Sequence, residues 1–223
     1  MALSKLTYNS FNVTPSASKA VGFGSGADDL AASLSGGSLV FIKKLTASAS
    51  GTLSFVDGTS DVVLDNTYKE YLFTFKDIHP SATGAGVNFS FNGSVDTGSN
   101  YNVTKTSTVY RSYHYEGAAT TTLGFDGTPS LAQATGFQTL TTNNANPDDG
   151  SSVGILHLFN PASTTFAKHF LCRTVQNTFN GENCMSNTIG GYFNTTSAID
   201  AIQFKFASGN IDEGSIFLHG LTI

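Results

Sequence analysis

The sequence predicts an all-β protein: an antiparallel β-sandwich of the jelly-roll type with a short N-terminal arm. Three observations carry that prediction. Ser, Thr, Asn and Gly fill 94 of the 223 positions, a turn-rich composition. From residue 38 onward apolar residues recur with a period of two, and turn residues interrupt them at spacings of roughly 8–15 residues. The chain has 18 Phe and 8 Tyr but no Trp; most of the Phe residues fall inside the alternating stretches, where aromatic side chains are favoured.

Residues 1–35 are small and polar, with isolated Leu6, Phe11, Val21 and Phe23 and no sustained alternation. They read as an arm. Gly22 to Gly26 is flexible in composition, and Asp28 is placed to cap one or two helical turns over 28–34, stopped by Gly36-Gly37. The domain, residues 36–223, opens with a strand at 38–47 containing the dense run Leu39-Val40-Phe41-Ile42. A second strand at 52–56 ends on the turn pair Asp57-Gly58. Residues 68–78 alternate Tyr71, Phe73 and Phe75 against Leu72, Thr74 and Lys76 and stop at His79-Pro80, because proline cannot donate to a ladder. Residues 87–91 follow, closed by the turn signal Asn92-Gly93. A long polar strand pair or bent strand covers 102–116, and a short strand 121–125. Residues 141–150 are loop by composition. Strands at 153–159 and 166–175 form a hairpin around Asn160-Pro161-Ala162-Ser163, and strands at 189–194, 201–207 and 215–223 complete the series.

Composition excludes several functions. Eleven cations spread from Lys5 to Lys205 and a net charge of −5 do not make a nucleic-acid surface. No stretch reaches the ~18 apolar residues of a membrane-spanning helix, and the N-terminus lacks the apolar core of a signal peptide, so no membrane insertion is expected. Serine-hydrolase, metalloprotease and phosphate-loop motifs are missing. Glycoside cleavage requires two facing carboxylates; Glu70, Glu116 and Asp200 lie near strand ends, but no pairing follows from their positions. The 146–149 loop supplies some oxygen ligands of the kind calcium takes, though one loop does not make a site. Neither metal nor cofactor is expected, and the chain reads as a non-enzyme. Cys172 and Cys184 read as two independent thiols in a loop, with a disulfide as the alternative. Tyr110, Tyr113, His114 and Tyr115 form the most aromatic polar segment, suited to stacking on sugar faces, though strand propensity alone also accounts for it.

The C-terminal third carries a further pattern. Gly191-Tyr192-Phe193-Asn194-Thr195-Thr196-Ser197-Ala198-Ile199-Asp200-Ala201-Ile202-Gln203-Phe204-Lys205-Phe206 leads through Ser208-Gly209-Asn210-Ile211 to Phe217-Leu218-His219-Gly220. This resembles the C-terminal signature of tailed-bacteriophage virion proteins, especially those of marine and cyanobacterial phages. In that signature an Ile-Asp-Ala-Ile-x-Phe strand meets a Ser-Gly-Asn-Ile turn and a closing strand near Leu-Tyr-Gly. Tyr71 to Pro80 and His157 to Ser163 match the same group, so the resemblance covers about residues 36–223; His219 departs from it, standing where the family usually has Tyr. The resemblance implies a non-enzymatic tail-fibre or appendage component that resides in the virion after synthesis in the host cytoplasm. It implies homo-oligomers, often trimers, and partners among other virion proteins. The 1–35 arm (Leu6, Phe11, Val21, Phe23) would attach it, and host-surface polysaccharide would meet the 110–115 segment and the 141–150 loop. The rival readings are a capsid decoration protein, a polysaccharide depolymerase and a lectin.

Overall fold

The computed structural model describes residues 38–221 apart from 118, 120, 148 and 179–182, together with two short strands nearer the N-terminus. The chain divides between Gly37 and Ser38 into two units. In the first, β1 (Gly22–Phe23) pairs antiparallel with β2 (Leu30–Ala31). Leu30–Ala31 is therefore strand, where the capping signal predicted a helical turn. A helix of one or two turns nucleates at a cost it is too short to recover, so it loses to local pairing. Phe23 lies in β1, while Leu6, Phe11 and Val21 fall outside the described residues.

The second unit is the sandwich. Its strands are β3 (Leu39–Thr46), β4 (Leu53–Val56), β5 (Glu70–Pro80), β6 (Phe89–Ser94), β7 (Lys105–Tyr115), β8 (Thr121–Phe125), β9 (Gln138–Thr141), β10 (Ser152–Phe159), β11 (Lys168–Asn177), β12 (Asn183–Phe193), β13 (Ala201–Phe206) and β14 (Ile211–Leu221). They form an eight-stranded sheet, ordered β3-β14-β5-β10-β11-β12-β7-β8, and a four-stranded sheet, ordered β4-β13-β6-β9. Every strand pair is antiparallel. From β3 to β7 the chain changes sheet at each step, and such crossing gives a jelly roll its winding.

The two inner faces meet in an aromatic core. Phe55, Phe73, Phe75, Phe89, Phe91, Phe170, Phe193, Phe204 and Phe206 are all buried there. Phe204 stands at the centre, with the rings of Phe55, Phe73, Phe75, Phe89 and Phe91 at 5.2–6.3 Å. A period of two sets Ile202, Phe204 and Phe206 on one face of β13, and all three are buried.

Four local expectations are corrected. Asn92-Gly93, read as a turn, lies inside β6, whose six residues are all buried. A Cβ on Gly93 would sit 3.1 Å from both Phe193 and Ile199, so the glycine serves close packing. β5 continues to Pro80, past the expected stop. Ser81 N donates to Asn210 O, next to β14, so the Pro80 nitrogen faces the opposite side, where β10 has already ended at the Ser152–Ile78 pair. Strand β9 carries little apolar signal because Leu140 is its one large apolar residue; buried Gln138 and Thr141 hold it through hydrogen bonds. Finally, Cys172 and Cys184 lie on paired strands β11 and β12, not in a loop. Cys172 faces Ile189, Cys184 faces Asn177, and both thiols are free.

Candidate functional site

A sheet in a sandwich has one face for the core and one for the outside, and polar residues ordinarily take the outside. The large sheet departs from that rule. Eleven large apolar side chains are exposed among the described residues. Nine of them (Leu39, Phe41, Tyr110, Leu123, Phe125, Val153, Ile155, Leu171 and Val175) share the outward face of the eight-stranded sheet, leaving only Val95 and Phe166 elsewhere. Strand register aligns them in rows. One runs Ile155–Arg173–Thr188–Tyr110–Phe125, and the next Val153–Val175–Ser186–Ser112–Leu123. A third runs Phe41–His219–Leu72–His157–Leu171.

The ionisable groups of this face are mostly basic. Four of the five histidines, His114, His157, His169 and His219, project from it with Lys44, Lys76 and Arg173. Glu70 pairs with His157 Nδ1, and Lys76 lies 3.8 Å from Asp77, with Asp212 and Glu213 beside it and Lys44. The His219 ring meets Phe41 edge-on at 5.6 Å, and burial holds its pKa below the ordinary histidine value. Lys44 lies over the Phe217 ring at 5.4 Å.

The proposed sugar-stacking residues do not make one platform. Tyr110 and His114 point outward with Thr188 and Cys184, whereas Tyr113 and Tyr115 occupy the alternate positions of β7 and face the other way. The period of two that made the segment look like a strand also splits it. Tyr113 and Tyr115 pack against one another edge-to-face at 5.7 Å. On their side of the sheet Arg111 Nη1 lies 2.9 Å from Asp126 Oδ2. This ion pair lines a cavity of about 300 Å³ with Asn88, Thr128, Pro129, Thr139, Thr142 and Asn143. Part of the 141–150 loop thus reaches the cavity wall, held by buried Asn144, which binds Val87 O, Thr141 and Ser152.

Glu70 is engaged by His157, and Asp200 accepts a hydrogen bond from Thr97 N at 3.0 Å. Glu116 adjoins the end of β7 and is exposed. No cluster of three or more His, Cys, Asp or Glu suited to a metal occurs among the described residues. Two lysines among the described residues are fully buried. Lys168 donates to Thr195 O at 3.1 Å, and burial lowers its pKa. Lys105 donates to Asn92 Oδ1 at 2.6 Å and Val103 O at 2.8 Å, and desolvation lowers its pKa to about 7.

Sequence reasoning meets the outward apolar face only in the closing strand, where Phe217, His219 and Leu221 share one face and Ile216, Leu218 and Gly220 the other, a pattern that suggests burial on both sides against a neighbouring subunit. The signal of that face was present in β11 and β14, where apolar residues occupy both alternating sets, but only register across the sheet shows that these excess residues gather. Comparisons with protein-family models, with curated proteins and with solved structures gave no match.

Proposed function

We propose that this chain is a non-enzymatic structural subunit of a tailed-phage particle, a tail-fibre or other appendage component, assembled with further copies of itself through the outward face of the large sheet. The observation that carries the reading is the gathering of nine of eleven exposed large apolar residues on that face. Contiguous apolar patches of this kind mark interaction surfaces. Eight strands at about 4.8 Å, each about seven residues long at about 3.3 Å per residue, span about 900 Å² per copy. Divided between two neighbours in a ring, that gives each contact about 900 Å² in total, close to the roughly 1,000 Å² of a small specific interface.

Charge favours a ring. β11 is fifth of the eight strands, so Arg173 lies near the middle of the face. A twofold axis there would press two guanidiniums together in a dry interface, at a cost of several kcal/mol. A cyclic trimer brings different patches into contact and avoids this. Virion membership rests on the resemblance of residues 36–223, and attachment is assigned to the 1–35 arm.

Light scattering on the purified protein should give three times the chain mass, and Leu171→Asp with Ile155→Asp should give a folded monomer. A wild-type monomer would remove the assembly role. A particle reconstruction should place the copies on a tail appendage; density on the capsid lattice would instead identify a decoration protein, and reducing ends released from host capsule would identify a depolymerase. Deleting residues 1–35 should leave the sandwich folded but absent from particles. A second reading, host-polysaccharide contact, is favoured by the polar cavity at Arg111 and Asp126 rather than by the 110–115 segment as a whole. In saturation-transfer NMR, sugar protons of host polysaccharide fragments should be saturated by the wild-type protein and not by Arg111→Ala.

A further inference from the structure

The Lys105–Asn92 pair is an unusual use of a buried lysine. Its ammonium position has no solvent exposure, and both hydrogen-bond partners are oxygens of neutral groups. A buried charge without a counter-charge is costly, and the group relieves that cost by giving up its proton. At about pH 7 much of this lysine is therefore free amine, a nucleophile, held 2.6 Å from a carboxamide oxygen.

The carboxamide is held as an electrophile. Asn92 Nδ2 donates to Tyr101 O at 2.7 Å and to Thr135 O at 2.9 Å, which fixes the amide orientation. Asn92 Oδ1 accepts from Gly93 N at 2.8 Å, a backbone donor aimed where negative charge would develop on that oxygen. The Phe193 ring closes the site 5.5 Å from Nζ, and Asn92 is itself fully buried, so bulk water does not compete for Cγ. Strands β6 and β7 hold the two groups together, which replaces a bimolecular encounter with a fixed geometry.

We propose that Lys105 and Asn92 join in an intramolecular isopeptide bond that staples β6 of the small sheet to β7 of the large one. The uncharged Nζ adds its electron pair to Asn92 Cγ, and the Cγ=O electrons move onto Oδ1, where Gly93 N–H donates. One proton passes from Nζ to Nδ2, both now attached to Cγ. The Cγ–Nδ2 bond breaks with its electron pair, the carbonyl re-forms, and ammonia leaves. No oxidant, reductant or co-reactant enters the balance. Such a bond closes a short loop and survives denaturation, a property useful to a protein exposed on the outside of a particle.

The test is the intact mass of the full-length chain under denaturing conditions, followed over days after purification. The expected mass is lower than the sequence mass by one ammonia, with a branched peptide joining residues 92 and 105 in tandem spectra. Lys105→Arg and Asn92→Ala should each hold the full sequence mass. Wild type is decisive by itself, so poor folding of a variant leaves the test intact. A wild-type chain that stays at the sequence mass, or that loses ammonia at any other asparagine, overturns the proposal.

Discussion

Phe204 is the side chain on which the sandwich depends most. It is fully buried in β13 and touches five other phenylalanines, two from the large sheet and three from its own. Truncation to alanine removes about 150 Å² of buried apolar surface, worth about 4 kcal/mol at about 25 cal/mol/Å². The residual cavity adds to this, because five neighbouring rings cannot all relax into one vacancy. The expected loss for Phe204→Ala is therefore about 4–5 kcal/mol, or about 10–20 °C in Tm for a domain of this size. Guanidinium unfolding followed by tyrosine fluorescence measures it cleanly, since the chain has 8 Tyr and no Trp. Phe217→Ala, on the half-buried outward face of β14, is the control and should cost below about 1.5 kcal/mol in the monomer. Similar losses at both positions, or a loss below about 2 kcal/mol at Phe204, would refute the assignment of inner and outer faces.

Three further predictions address other parts of the molecule. Gly220→Ala would place a Cβ 2.2 Å from Tyr68 Cδ2, so the ring must move; a loss of about 1–3 kcal/mol is expected in urea midpoints, against almost none for Gly136→Ala, which has open space. Cys184 is exposed in the single chain, whereas Cys172 is buried with its thiol pKa pushed well up by desolvation; a thiol reagent should label one cysteine in the folded Leu171→Asp, Ile155→Asp monomer and the second only on unfolding. An unclosed Lys105 titrates near about 7 when folded and at 10.5 otherwise, so the unfolded chain binds more protons between those values. Stability is then lowest below about pH 7 and rises by about 2 kcal/mol towards about pH 9; once the isopeptide bond has formed that rise should vanish, which denaturation curves at fixed pH would show.

Periodicity made most of the strands legible, since alternation is a local property that burial on one side enforces on each strand separately. It set Tyr71, Phe73 and Phe75 on one face of β5 and Ile202, Phe204 and Phe206 on one face of β13, and these are the faces that the structure buries. It failed where side chains serve a partner distant in sequence. Asn92-Gly93 has the chemistry of a turn, but Lys105, Tyr101, Thr135 and Phe193 give each residue a reason to lie in a buried strand. β9 has little apolar pattern because hydrogen bonds hold its buried Gln138 and Thr141.

The sequence alone determined the class: a turn-rich, low-charge chain with alternating Phe folds as an antiparallel sandwich, because composition and period act residue by residue. Tertiary structure decided everything that depends on which strands are neighbours. Register gathered Leu171, Ile155, Tyr110 and Phe125 on one exposed face and separated Tyr113 and Tyr115 from Tyr110. It also set Cys172 and Cys184 apart and brought Lys105 to Asn92 across two sheets. These are contacts between strands, and pairing in a sheet is chosen by the packing of the whole core rather than by any one segment.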